Sequence, residues 1–204
     1  MKIYLLRHGQ TAWNKVERWQ GNQDTLLDQI GVDQVSQAAQ KLATYDGISK
    51  VYSSPLQRAA RSAEIVGKAI GAQVICRQNL REVHLGEWEG STTAEVIAKH
   101  GELFAKWQNQ PAAQIGLGIE SLLNLQTRAW QEFCALAKQE TADFIIVTHG
   151  TWLRCLLCKL LNMPLDQGVN LKVSNAGISV VDCAKDEDSL IFTVVAMDDT
   201  AHLS

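Results

Sequence analysis

Two short apolar runs, Ile3 to Leu6 and Phe144 to Val147, each lead into a histidine followed by glycine: Arg7-His8-Gly9 after the first and Thr148-His149-Gly150 after the second. Uninterrupted apolar runs of this length suit strands buried on both faces, as in a sheet covered on each side by helices. Around them, segments with apolar residues at helical spacing alternate with further apolar runs, the pattern of a largely parallel sheet. In such sheets chemistry collects just beyond the carboxyl ends of the strands. The fold class expected is therefore α/β, a three-layer sandwich with a largely parallel central sheet and helices on both faces.

The intervening segments fill in this plan. Asp28 is a candidate N-cap for a helix carrying Val35, Ala38, Ala39 and Leu42, with Gly47 as its end and Ile48 to Tyr52 as the next strand. Ser54 and Pro55 read as N-cap and first residue of a helix with Leu56, Ala59, Ala60, Ala63, Val66 and Ile70 on one face and Gly71 as its stop. Arg58 then falls in the first turn. Gln73 to Cys76 is a third strand, and Asn79 to Gly90 a polar loop whose acids are expected to be reachable by solvent or substrate. Residues 91 to about 120, punctuated by Gly101, Pro111, Gly116 and Gly118, read as an irregular cap. A helix follows from the cap residue Ser121, another runs from Thr151 to Leu161, and two strands, Ile178 to Asp182 and Leu190 to Ala196, close the chain. With no internal repeat or linker, residues 1 to 204 are expected to form one domain.

A chain of 204 residues with 46% hydrophobic and 20% charged residues is ordinary for a globular protein. Its formal net charge of -3 gives no general attraction to nucleic acid or to an acidic membrane, so an anionic ligand has to be held by a few local cations. The first apolar run is too short for a signal peptide core or a membrane span. Five cysteines scattered through apolar segments do not suggest a disulfide framework. A cytoplasmic protein, monomer or homodimer, without nucleic-acid or membrane partners is the expectation.

Arg7 and Arg58 give the two histidines a chemical context. A phosphate monoester dianion needs several fixed donors, and guanidinium groups meet its oxygens through paired N–H bonds. Arg58 adds the positive end of a helix N-terminus. Taken singly, a histidine is more often a surface or core-satisfied residue and Arg58 a solvated helix residue, so the combination carries the argument. Cys155 and Cys158 lie inside an apolar helix without a second cysteine pair and read as packing. His84, His100 and His202 read as surface groups, with His84 close to Glu82. Trp88, Trp107 and Trp130 suit core, cap or pocket.

Leu6-Arg7-His8-Gly9-Gln10-Thr11, with Trp13-Asn14 behind it, resembles the signature of the histidine phosphatase superfamily, in the branch that contains cofactor-dependent phosphoglycerate mutase. Four further segments agree in order. Gly21-Asn22-Gln23-Asp24 with Gly31 and Gln34 resembles the second motif, and Tyr52-Ser53-Ser54-Pro55-Leu56-Gln57-Arg58-Ala59 the second-arginine motif. Leu80-Arg81-Glu82 with Gly86-Glu87-Trp88-Glu89-Gly90 is similar to the acid loop, and Val147-Thr148-His149-Gly150 to the second-histidine motif. The likeness runs from Ile3 to about Asn175. Leu26 stands where many relatives have proline, and Ile119 interrupts a Gly-Gly-Glu-Ser pattern.

The resemblance implies roles residue by residue. His8 is the nucleophile that becomes phosphorylated, Arg7, Arg58, His149 and Gly150 bind the phosphoryl oxygens, and Glu82 is the proton donor, with Glu87 and Glu89 as nearby competitors. Asn14 and Gln20 match positions that line the same pocket. No metal and no other cofactor is implied. The favoured function is hydrolysis of small-molecule phosphate monoesters through phospho-His8. A phosphoglycerate mutase is the alternative, although relatives of that kind generally carry a longer insertion before the second histidine, and the Gly86 to Gly90 segment is more similar to broad-specificity and α-ribazole phosphatases. A catalytically silent phospho-ligand binding module is the third reading.

Overall fold

The computed structural model describes residues 1–186 and 189–203. Six strands form one sheet in the order β3-β2-β4-β1-β5-β6: β1 Lys2–Arg7, β2 Lys50–Ser53, β3 Gln73–Cys76, β4 Phe144–Thr148, β5 Ile178–Asp186 and β6 Ser189–Asp199. The first four in that order run parallel, whereas β5 and β6 are antiparallel to their neighbours. The two final strands extend beyond the expected spans because they pair with each other along most of their length.

Alternation along the strands fixes the layers. Ile3, Leu5, Phe144 and Ile146 point into a core shared with α5 (Leu122–Gln139) and α6 (Gly150–Leu160). Tyr4, Leu6, Ile145 and Val147 point the other way, against α2 (Gln29–Leu42) and α3 (Gln57–Ile70). Both faces of β1 and β4 are thus covered, which is why their sequences are apolar without interruption. Two cores on either side of one sheet make the three layers.

Several local boundaries differ from the sequence-based expectations. Asp28 caps α2, its side chain accepting from Gly31 N–H, but the helix stops at Leu42, well before Gly47. The helix expected to begin at Ser54 begins at Gln57, because Ser54 N–H is still donated to Val147 O of β4 and holds the chain beside the sheet. Its first turn is capped instead by a distant carboxylate: Asp24 accepts from the Gln57 backbone at 2.7 Å and from its side chain at 2.9 Å. The cap segment is less irregular than expected. It contains α4 (Thr93–Asn109), opened by a capping box between Thr92 and Glu95 and broken at His100, beside Gly101. A short helix, α1 (Ala12–Lys15), follows the first histidine and was not signalled by periodicity. Among the described residues no helix is long and apolar enough to cross a membrane.

Candidate active site

Strand register brings the two histidines together. β1 and β4 pair Leu6 with Val147 and Arg7 with Thr148, so one step further His8 and His149 leave neighbouring strands side by side. Their ring centroids are 5.2 Å apart, edge to face. The backbone of His8 is fixed from two directions: its N–H is donated to Thr148 O at 3.0 Å, and its carbonyl accepts from the Asn175 side chain at 3.0 Å. Gly9 allows α2 to approach the loop, since a Cβ there would lie 2.3 Å from Gly31 O. Ser62 of α3 accepts from Gly9 N–H at 3.2 Å, tying the same loop to the helix that carries Arg58.

The hydrogen bonds around His8 assign its tautomer. Nδ1–H is donated to Gly9 O at 2.7 Å, and Arg58 Nε–H is donated to Nε2 at 3.3 Å, which leaves Nε2 as the unprotonated nitrogen. Burial, then the charges of Arg58 and Arg7, hold the imidazole well below its usual pKa despite the bond to Gly9. His149 is likewise held low by burial, then by Arg58, His8 and Arg7. It is 0% exposed, and among the described residues neither of its ring nitrogens has a hydrogen-bond partner.

Arg58 is 1% exposed and its guanidinium meets only neutral acceptors: Gln23 O at 2.7 Å, Gly21 O at 2.8 Å and His8 Nε2. Arg7 donates from Nη1 to Val173 O at 2.7 Å, while its buried Nε has no hydrogen-bond partner among the described residues. Burial lowers both guanidinium pKa values to about 10, partly offset by the negative charge of Glu82. Buried cations without carboxylate partners are costly. The site therefore presents a concentrated deficit of negative charge around an unprotonated imidazole nitrogen. Gly150 belongs to the same construction, for a Cβ added there would meet Arg7 Nε at 3.4 Å.

Glu82 sits where α6 begins. One carboxylate oxygen accepts from Val83 N–H at 2.9 Å and Trp152 N–H at 3.0 Å, the other from Thr151 N–H at 3.0 Å. It caps the first turn of the helix that follows His149, so the two motifs are joined through backbone N–H groups. The expectation that the acids of this loop can be reached by solvent or substrate fits all three: Glu87 is exposed, Glu89 is half-buried, and Glu82, though buried, lines the adjoining cavity. Glu89 accepts from Asn22 N–H at 2.8 Å and Leu85 N–H at 3.1 Å, filling the space that a Cβ on Gly21 would need.

A cavity of about 540 Å³ opens from this clamp, within the range of small-molecule sites. Arg7, His8, Asn14, Gln20, Arg58, Glu82 and Gly150 line it; His149, whose ring packs on that of His8, does not. Asn14 Oδ1 closes the capping box of α1 with Thr11 and accepts from Asn175, and Gln20 accepts from the Thr25 hydroxyl. The outer wall is aromatic. Trp19, Phe104 and Trp107 face the cavity and pack with buried Trp88 at ring separations of 5.8–6.0 Å, and Trp19 packs on Phe104 and Trp107 at 5.6 and 5.9 Å. Trp130 packs instead with Phe133 and Phe192. His84 is exposed, as expected of a surface group; its Nδ1 lies 2.7 Å from Gly118 O, outside this cavity. Among the described residues no group of three or more His, Cys, Asp or Glu is arranged to hold a metal ion.

Trp19, Asp24, Ser62, Asn175 and Arg154 shape the site but were not picked out from sequence. Each acts through contacts with distant segments; Trp19 lies beside Gln20, and Asp24 within the Gly21-Asn22-Gln23-Asp24 word, but neither was assigned a role.

Comparison with known proteins gives a consistent picture. The histidine phosphatase superfamily (branch 1) matches residues 3–195. A phosphoserine phosphatase 1 of Hydrogenobacter thermophilus is 30% identical over 182 residues, 89% of this chain and 86% of that protein. A protein of Proteus mirabilis named probable phosphoglycerate mutase is 34% identical over 185 residues, 89% of this chain and 85% of its own. Among solved structures, a mycobacterial glucosyl-3-phosphoglycerate phosphatase in complex with VO3 superposes with a TM-score of 0.86 at 28% identity, covering 97% of this chain and 98% of that one.

Proposed function

The chain belongs to the histidine phosphatase superfamily, and from that premise we propose that it hydrolyses small-molecule phosphate monoesters through a phosphohistidine on His8. One observation carries the reading: His8 Nε2 holds its lone pair beside a buried guanidinium bound only to neutral acceptors. Nε2 attacks phosphorus as the bond to the ester oxygen breaks. Arg7, Arg58 and His149 stabilise the equatorial oxygens, whose charge is present throughout the transfer. Glu82 gives a proton to the departing oxygen, and the alcohol leaves. Water then attacks phospho-His8, Glu82 takes a proton from it, and orthophosphate and free His8 are restored. Asn14, Gln20 and Gly150 complete the lining of the phosphoryl pocket.

The low basicity imposed on His8 serves this cycle, because a protonated imidazole has no lone pair for phosphorus. Glu82 has to arrive protonated for the first step and ionised for the second. Its place at the helix N-terminus supplies a fixed orientation for both.

The mutase reading is kept by the Proteus mirabilis relative. In that case phospho-His8 returns its phosphoryl group to a second hydroxyl instead of to water. Incubation with 3-phosphoglycerate, with and without 2,3-bisphosphoglycerate, separates the two. Release of inorganic phosphate is expected; formation of 2-phosphoglycerate without release would favour the mutase, and neither product would leave only a binding module.

A further inference from the structure

The cavity extends beyond the clamp along α6. Gly150, Thr151, Arg154 and Cys155 all line it, as the i, i+1, i+4 and i+5 positions of one helix face should. Arg154 is therefore one turn, about 5.4 Å, further from the strand ends than Gly150.

Its guanidinium is only partly engaged. Nε–H is donated to Leu171 O at 3.0 Å, two residues from Val173, whose carbonyl accepts from Arg7 Nη1 at 2.7 Å. The two guanidinium groups thus lean on one short segment. Nη1 and Nη2 of Arg154 make no hydrogen bond among the described residues, and no ion pair joins it to a carboxylate there, although Glu17 and Asp166 line the same cavity. After burial and the opposing effect of Glu82, the charge of Arg154 is the next influence on Arg7, and it lowers that pKa. Two cations kept close and unneutralised in one cavity are unfavourable unless anions fill it.

One phosphoryl group does not use both. Arg7 and Arg58 line the cavity beside His8, His149 packs edge to face on the His8 ring, and the Thr151 and Trp152 N–H groups are already given to Glu82. Arg154 lines the same cavity with Nη1 and Nη2 uncommitted among the described residues, so these donors are available to whatever the phosphoryl group carries. In a three-carbon phosphorylated acid, phosphorus and the carboxyl carbon are separated by four bonds of about 1.5 Å, a span comparable to one helical turn. A guanidinium fork is the natural partner of a carboxylate at that distance.

We propose that Arg154 is a specificity-determining residue that binds the carboxylate of a short phosphorylated acid while its phosphoryl group occupies the clamp of Arg7, Arg58 and His149. This rests on the clamp being the phosphoryl site, and it deepens the function above from phosphate monoesters in general to carboxylated ones. Arg18 also lines the cavity, but its guanidinium is held by Gly90 O and lies 3.6 Å from Glu95. It is therefore the lesser candidate.

Binding to the His8→Ala protein tests this without turnover. Dissociation constants are measured by calorimetry for two matched pairs, O-phosphoserine with O-phosphoethanolamine and 3-phosphoglycerate with glycerol 3-phosphate. The carboxylated member of each pair is expected to bind about 10- to 100-fold more tightly, the range of charge-assisted hydrogen bonds. Adding Arg154→Met should reduce that preference to about threefold or less, and Arg154→Lys should restore part of it. Equal weakening of both members would mean that Arg154 acts only by holding Leu171 and would overturn the proposal. So would an unchanged preference, or none in the starting protein. Failure of hydrolysis shows separately, as no phosphate released from any of the four compounds by the unmodified enzyme.

Discussion

The inner and outer walls of the cavity are built on opposite physical terms. At the inner wall, charged and polar side chains are buried against neutral partners: Arg58 is bound to carbonyls, and among the described residues Arg7 Nε and the nitrogens of His149, packed on His8, have no hydrogen-bond partner. On the outer wall, Trp19, Phe104 and Trp107 pack with one another and with Trp88 behind them, and Trp107 and Trp19 place their indole N–H groups on Glu120 O and Thr93 Oγ1. The first arrangement costs stability and is suited to chemistry. The second contributes stability and shapes access.

Substitutions on the two walls should therefore separate stability from turnover. Trp88 is buried but does not line the cavity. Trp88→Ala should cost about 3–5 kcal/mol in urea unfolding, while the folded fraction keeps kcat within about threefold. A loss of kcat as large as that of an inner-wall variant would show that the walls are not separable. Conversely, Arg58→Met should lower kcat/KM about 100- to 1000-fold with unfolding free energy unchanged or raised, since it removes a buried charge that lacks a carboxylate partner. Marked destabilisation would place Arg58 among the structural residues.

Acid unfolding sharpens the same contrast at a smaller scale. His8 and His149 have folded pKa values below the unfolded value of about 6.5, so below that pH the unfolded chain binds protons that the folded chain refuses. Their contribution to stability is complete above pH 6.5 and is lost as the pH falls toward the folded pKa values, at up to about 1.4 kcal/mol per histidine per pH unit. Urea titrations between pH 7.5 and 5.5 should show this decline. His8→Gln should remove one of the two contributions and flatten it, whereas Trp88→Ala should leave the slope intact.

Much of the inner wall was legible because short sequence words carry it. Strand, charged residue, histidine and glycine are contiguous, and parallel register converts two such words into one site. The anchoring of Glu82 was not legible. Its partners, Thr151 and Trp152, are far away in sequence, and nothing within a glycine-punctuated loop announces the helix N-terminus that packs against it. The start of α3 was misread for a similar reason: Ser54 and Pro55 form a strong local signal, but pairing with Val147 and the carboxylate of Asp24 set the boundary at Gln57. The cap hid its regularity because Gly101 suggested an end where the chain only bends, at His100. The aromatic wall draws on three separate stretches, and no periodicity within any one of them announces their meeting.

The central claim is that His8 Nε2 forms the covalent bond to phosphorus. Rapid acid-free quenching during turnover of a phosphate monoester, followed by proteolysis and mass spectrometry of the peptide containing His8, tests it directly. A phosphoryl mass on His8 that forms and decays at rates consistent with kcat is predicted, together with a loss of turnover of about 10⁴-fold or more in His8→Ala. A phosphoryl group on any other residue, or full turnover by His8→Ala, would contradict it.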